Sequence, residues 1–154
     1  MTVIRLDKIV GAHLESIKAP EEIKNGFFLQ LGGLVDGEKE LRTATKVVDA
    51  TKGNIVLHAT DEVDPDPRKA GLKHFTVAKD EAGRAYRLVE GDVVTLTVDL
   101  FALAPVVGDK VAPVNGSFLL DTATGDESLQ LEVIEETTLG YDATQAFAVA
   151  VVKA

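Results

Sequence analysis

The sequence predicts a mainly β protein: a small β-barrel or β-sandwich-like domain of about ten short antiparallel strands, with one or two short helical turns. Three observations lead to this fold class. Apolar residues recur with a period of two, Gly- and Asn-containing turn motifs separate the alternating segments, and helical periodicity is confined to very short stretches.

The alternating segments lie at residues 94–100, 129–133 and 146–152. Between 94 and 100, Val and Leu occupy one face and Thr and Asp the other, which is typical of a strand with one buried and one wet face. In the last segment Phe147, Val149 and Val151 alternate with alanines, so both faces are apolar. We therefore expect the C-terminal strand to be covered on both sides.

Turn motifs place the hairpins, because Gly and Asn accept the positive φ that tight turns require. Asp36-Gly37 separates strands predicted at 27–35 and 40–48, and Asn115-Gly116 separates strands at 110–114 and 117–121. Gly-containing turns also precede strands that begin near residues 55 and 129.

Helix signals are few. Residues 20–26 begin with Pro and two acids and end in Asn-Gly, which predicts one or two helical turns. A second short turn is predicted within 68–75 or 79–83. The acidic, proline-containing stretch 61–69 predicts an exposed loop around 60–82. We therefore interpret residues 1–154 as one β-rich domain. A flexible N-terminal segment, residues 1–8, is compatible with this interpretation.

Composition narrows the functional classes. The 154 residues include 16 Lys and Arg against 25 Asp and Glu, a formal net charge of -9, with 5% aromatic residues and no cysteine. An acidic chain with few aromatic side chains is a poor nucleic-acid binder. The longest apolar run, 100–107, is too short for a membrane helix, and Arg5 and Asp7 interrupt any signal-peptide core. We expect a soluble, non-exported protein without nucleic-acid or membrane partners.

Catalytic and metal-binding patterns are not convincing. The densest acidic cluster lies in 61–66, but its spacing is not that of an EF-hand, so a solvated loop is the preferred interpretation. His13, His58 and His74 lack the close helical spacing of a zinc site. Ser117 follows Asn-Gly and is interpreted as a turn residue. We expect no catalytic residues, no metal and no cofactor, and therefore not an enzyme.

Two segments carry a family resemblance. Ala-Pro-Glu-Glu-Ile-Lys-Asn-Gly-Phe-Phe-Leu-Gln-Leu-Gly at 19–32 and Gly-Arg-Ala-Tyr-Arg-Leu-Val-Glu-Gly-Asp at 83–92 resemble head decoration proteins of tailed bacteriophages, also called capsid cement or stabilising proteins. The resemblance covers scattered segments of roughly residues 1–100, consists of turn-and-strand patterns, and leaves out the C-terminal third.

The resemblance implies a structural protein that binds the outer surface of an assembled, expanded capsid and braces neighbouring major capsid subunits. It implies synthesis in the host cytoplasm, a final location on the virion surface, and a homo-oligomer, often a trimer. It also implies that an N-terminal segment, here 2–7, adds a strand to a capsid sheet.

Candidate contact residues come from both ends of the chain. The N-terminal β-pattern is a potential sheet edge, and the apolar C-terminal strand is a potential interface. The residues are Thr2, Val3, Ile4, Arg5, Leu6, Asp7, Phe147, Val149 and Val151.

Two alternatives stay open. In one, the protein is a small-ligand or glycan-binding β-barrel whose pocket is lined by residues such as Phe27, Leu29, Val94 and Leu96. In the other, it is a different virion component, such as a tail or neck subunit.

Overall fold

The computed structural model describes residues 4–9, 14–60, 76–139 and 143–154, and these residues form mainly β-strands. The mainly β prediction is confirmed. The strands are β1 (Ile4–Lys8), β2 (Leu14–Lys18), β3 (Ile23–Lys24), β4 (Phe28–Leu34), β5 (Leu41–Thr45), β6 (Ile55–His58), β7 (Thr76–Val77), β8 (Ala82–Tyr86), β9 (Val93–Thr97), β10 (Lys110–Pro113), β11 (Leu120–Thr122), β12 (Gln130–Leu139) and β13 (Thr144–Lys153).

The strands form a closed barrel, a larger sheet and a short ribbon. The barrel has the order β2-β5-β4-β6-β8, the six-stranded sheet has the order β1-β9-β13-β12-β10-β11, and β3 pairs with β7. All pairs in the large sheet are antiparallel, as predicted. In the barrel, however, β2 and β5 are parallel. β5 forms an antiparallel hairpin with β4 on one side and lies beside β2 on the other.

Two hydrophobic clusters organise the fold. The barrel core fills the barrel with side chains such as Ile17, Leu29 and Val56. The sheet core contains Phe28 and Leu57 from the barrel strands together with residues of the large sheet, such as Leu131, Val133 and Val149. Successive side chains of a strand point to opposite faces, so β4 and β6 each contribute to both clusters. These two strands join the barrel to the sheet.

The C-terminal strand β13 lies inside the large sheet, between β9 and β12. It is covered on both faces, as predicted, since Phe147, Val149 and Val151 are buried in the sheet core and Ala146 and Ala148 are buried on the other face. Phe147, Val149 and Val151, which the sequence suggests as partner contacts, are therefore enclosed by their own chain in this structure.

The predicted strand at 94–100 is shorter than expected. β9 ends at Thr97, and Val98–Leu100 form a 3-10 turn in which the Phe101 amide donates to the Val98 carbonyl at 3.1 Å. The Thr97 hydroxyl donates to the Asp99 carboxylate at 2.5 Å, which stabilises the turn locally. The threonine face is not wet, because Thr95 and Thr97 are fully buried.

The two predicted hairpins are present as antiparallel pairs, β4 with β5 and β10 with β11. The helix predicted at 20–26 is wrong. Ile23–Lys24 pair with β7, and the following turn places Gly26 at φ +95°. Burial of the Ile23 side chain in the barrel core outweighs the local helix signals.

The predicted loop around 60–82 is described only in part. Residues 61–75, with the acidic cluster, lie outside the described residues, while Thr76–Val77 form β7 and Ala82 begins β8. No helical turn forms at 79–83. The N-terminal segment is a paired strand from Ile4 to Lys8, and residues 1–3 lie outside the described part.

Gly26→Ala tests the close packing between barrel and sheet. A Cβ at Gly26 would lie 2.4 Å from Leu100 Cδ1 and 2.6 Å from Ile4 Cγ2, whereas Gly91, at nearly the same φ of +91°, has nothing within 4 Å. Both variants carry the strain of positive φ, about 1–2 kcal/mol. We expect Gly26→Ala to lose about 1–3 kcal/mol more unfolding free energy than Gly91→Ala in urea titrations. Equal losses would contradict the packing.

Candidate interaction surface

The most exposed apolar side chains of the large sheet lie in the connection between the 3-10 turn and β10. In this apolar loop, residues 102–107, the exposed fractions are 73% for Leu103, 65% for Val106 and 58% for Val107, whereas Pro105 is buried. Single exposed aliphatic residues are normal on a protein surface, but three in one six-residue loop are a feature that marks interaction sites.

Backbone hydrogen bonds fix both ends of the apolar loop. At its start, the Ala102 amide donates to the Leu120 carbonyl of β11 at 2.8 Å. At its end, the Gly108 amide donates to the Val133 carbonyl of β12 at 2.8 Å, and the Val133 amide donates to the Asp109 carbonyl at 2.9 Å. The loop is therefore tied to two strands of the large sheet.

Local sequence explains why the loop is a turn and not another strand. Pro105 has no amide to donate to a sheet. The Asp109 carboxylate accepts the Val106 amide at 3.0 Å, and Gly108 adopts φ +98°, which closes a tight turn over Val106, Val107 and Gly108. The apolar side chains are thus held at the surface by a defined backbone, which limits the conformational entropy lost on binding.

A β-bulge adds a fourth apolar side chain beside the loop. The register of β12 against β13 shifts between Val133 and Glu135, so Ile134 is the extra residue and is 47% exposed. Val133 makes the two backbone bonds to Gly108 and Asp109, so Ile134 directly follows the residue that is bonded to the end of the loop. Leu103, Val106, Val107 and Ile134 are called the apolar surface below.

Four acidic residues lie close along the backbone to the residues that fix the apolar loop and the bulge. Asp109 closes the loop turn, Asp121 follows the residue that binds Ala102, and Glu132 and Glu135 flank Val133 and Ile134. Where β10 pairs with β12, Lys110 lies opposite Glu132. None of these four carboxylates forms an ion pair with another described residue. They are called the acidic rim.

The predicted N-terminal contact residues lie at an edge of the large sheet. Ile4, Arg5, Leu6 and Asp7 belong to β1, which pairs with β9 on one side only. Thr2 and Val3 lie outside the described residues.

The edge at β1 carries two features that limit strand addition. The register shifts between Leu6 and Lys8, and the side chains of Arg5 and Asp7 bind each other at 2.5 Å, with the Thr95 hydroxyl also donating to Asp7. Bulges and charges at an edge discourage a further strand. The apolar surface is therefore the stronger candidate for a partner contact.

His58 is the polar residue most deeply placed in the barrel, and its environment is structural. Its Nδ1 donates to the Lys24 carbonyl at 2.8 Å, since a carbonyl only accepts, and its Nε2 accepts from the Thr60 hydroxyl at 2.8 Å. Asn25 and Thr60 exchange two further bonds, at 3.0 and 2.9 Å. Both ring nitrogens are occupied, so His58 has no free position for catalysis or a metal.

Burial lowers the pKa of His58 below its usual 6.5, and the hydrogen bond to the Lys24 carbonyl opposes this shift only partly. The neutral ring fits the network, because the single proton on Nδ1 leaves Nε2 as the acceptor for Thr60.

The other residues weighed for chemistry do not converge. The Ser117 hydroxyl accepts the Leu119 amide at 3.0 Å, as a turn residue does. His13, His74 and the acidic cluster at 61–66 lie outside the described residues. Within the described ranges, no group of three His, Cys, Asp or Glu side chains is placed to hold a metal ion.

The residues suggested for a ligand pocket do not line one space. Leu29 belongs to the barrel core, whereas Val94 and Leu96 belong to the sheet core, and Phe27 lies at the boundary, stacked on Phe118 with ring centroids 4.7 Å apart. These four residues therefore do not line a single pocket among the residues that the structure describes.

Comparison with known proteins gives no relative: no family model, no curated protein and no solved structure matches the chain. In the part of the chain that the structure describes, no helix is long and apolar enough to cross a membrane.

Sequence reasoning missed the apolar surface, although a signal was present. The run 100–107 was the longest without a polar residue and contained Pro105. An apolar run that includes proline does not fit a central strand, so its exposure as a loop could have been predicted. The bulge that exposes Ile134 has no comparable signal in the amino-acid sequence.

His58 makes stability depend on pH. Because its pKa is lower in the folded state than in the unfolded state, the unfolded chain binds more protons between these two values. The contribution is complete above about pH 6.5 and is lost as the pH falls through the lowered folded value. We expect the unfolding free energy of wild type to fall between about pH 7 and pH 5 more steeply than that of His58→Gln.

The comparison of the two pH profiles removes contributions from the other titrating groups. Urea titrations at each pH give both curves. Parallel curves would show that His58 does not titrate differently in the folded state.

Proposed function

We propose that the protein is a non-enzymatic structural protein that binds the outer surface of an assembled phage capsid and reinforces contacts between major capsid subunits. The observation that carries the proposal is the apolar surface, which is exposed although its backbone is fixed. The resemblance of 19–32 and 83–92 to capsid decoration proteins supplies the class of partner.

A fixed apolar surface suits attachment to a preformed assembly. Burial of apolar area contributes roughly 25 cal/mol per Å², and association costs an estimated 4–15 kcal/mol before any net affinity remains. Because the loop is already held by Leu120 and Val133, little further ordering is needed at each site. A capsid offers many equivalent sites, so a modest contact is repeated over the whole shell.

The proposal includes the location and assembly that the resemblance implies. The chain is made in the host cytoplasm, reaches the outer capsid surface, and acts there as a homo-oligomer such as a trimer. The partner is the major capsid protein.

The proposed contact through the N-terminal strand is secondary to the contact through the apolar surface. β1 pairs with β9 on one side and is open on the other, but the register shift and the charges of Arg5 and Asp7 limit the addition of a strand there. We therefore propose Ile4, Arg5, Leu6 and Asp7 as a weaker, secondary contact, at the opposite edge of the large sheet from the apolar loop.

A tail or neck subunit is distinguished from a decoration protein by copy number. Quantitative mass spectrometry of purified particles measures the ratio of this chain to the major capsid protein. The proposal predicts a ratio near one chain per capsid subunit. A handful of copies per particle would assign it to the tail or neck, and absence from the particle would refute the proposal.

A loop variant tests the contact itself. In Leu103→Ser/Val107→Ser two exposed side chains lose their apolar surface while the core is left intact, so we expect binding to purified expanded heads to weaken at least about tenfold in a co-sedimentation titration.

Val48→Ser is the matched control, since Val48 is 72% exposed but lies after β5, on the barrel. It should bind as wild type does. Equal affinity of the loop variant and wild type would exclude the apolar loop from the contact.

A further inference from the structure

We infer that the apolar surface and its acidic rim bind a protein surface of complementary chemistry: an apolar depression bordered by Lys and Arg side chains. The inference deepens the proposed function and rests on it for the identity of the partner, which would be the capsid subunit. The chemistry of the partner follows from the residues of this chain alone.

The apolar part defines the centre of the contact. Leu103, Val106 and Val107 are exposed on a backbone fixed at both ends, and Ile134 is exposed at the bulge after Val133, to which the end of the loop is bonded. Aliphatic side chains of this size are best accommodated in an apolar depression, where they are removed from water.

The charged part defines the border. Asp109 lies at the end of the loop, Asp121 follows the residue that bonds its start, and Glu132 and Glu135 flank Val133 and Ile134, with Lys110 opposite Glu132. These carboxylates form no ion pair with another described residue, and Lys110, opposite Glu132, is the one cation that the strand pairing places beside them. A basic border on the partner would neutralise them, increase the association rate and fix the orientation of the contact.

The same charges disfavour two other occupants. A second copy placed on this surface would bring two acidic rims together, in a chain that already has a net charge of -9. Nucleic acid would be repelled for the same reason. The contacts of a homo-oligomer are therefore expected elsewhere on the molecule.

Two synthetic amphipathic peptides of equal length, one alternating Leu with Lys and one alternating Leu with Glu, test this chemistry on the full chain. Chemical-shift mapping of the ¹⁵N-labelled protein at low salt locates the binding site. We expect the Leu/Lys peptide to perturb the amides of 102–109 and 132–135, and the Leu/Glu peptide to leave them unchanged. Binding should weaken as salt is raised, because screening shortens the range of the rim charges.

Variants separate the rim from the overall acidity of the chain. Glu132→Gln/Glu135→Gln removes two rim charges, and Glu38→Gln/Glu40→Gln removes two exposed charges between β4 and β5. We expect the rim variant to bind the Leu/Lys peptide about tenfold more weakly than wild type does, and the control variant to change the affinity by less than about twofold. Leu103→Ser should also weaken binding, and Val48→Ser should not.

Three results would overturn the inference: equal effects of the two charge variants, perturbations spread over the whole surface, or self-association through 102–107 seen in sedimentation velocity. These outcomes are separable from failure of the proposed function. Heads that bind the rim variant as tightly as wild type would refute the inference and leave capsid decoration intact. Absence of the chain from particles, with the Leu/Lys peptide mapped to the loop, would refute decoration and support the inferred chemistry.

Discussion

The fold depends on two barrel strands that are buried on both faces. In β4, Phe28 packs in the sheet core and Leu29 in the barrel core; in β6, Leu57 and Val56 are divided in the same way. A strand with one wet face would close the barrel but leave the large sheet without a covering layer. The double burial of β4 and β6 is what makes barrel and sheet one packed structure.

This arrangement explains where a partner surface is available. The apolar side chains of β13 and of the barrel strands that face the two cores are enclosed, so they contribute to stability and not to binding. The apolar loop lies at the side of the sheet formed by β10, β11 and β12, and hydrogen bonds to Leu120 and Val133 fix it there. A stable core thereby supports an apolar surface that would otherwise be too mobile to bind efficiently.

The sequence predicted features that depend on local chemistry. Asp36-Gly37 and Asn115-Gly116 identified hairpins because few residues accept positive φ, and the alternation of Phe147, Val149 and Val151 with alanines identified a strand covered on both faces. The same alternation also suggested an interface, because burial by the chain itself and burial by a partner leave the same pattern in a sequence; in the structure these side chains are enclosed by their own chain.

Features that depend on tertiary contacts were not predictable. The helix signals at 20–26 are overridden by burial of Ile23 and by the close approach of Gly26 to Leu100. The parallel pairing of β2 with β5 joins residues far apart in the chain and leaves no local mark. Thr95 and Thr97 gave the alternation of a half-exposed strand, yet both are buried. The bulge at Ile134 likewise arises from the register between two long strands.

The central claim is that the apolar surface faces the capsid. A cryo-electron microscopy reconstruction of expanded heads, reconstituted with this chain, tests it most directly. The account predicts that residues 102–107 and Ile134 lie against the shell, with basic capsid side chains opposite Glu132 and Glu135. A map in which this surface points to solvent, while another face of the molecule contacts the shell, would contradict it.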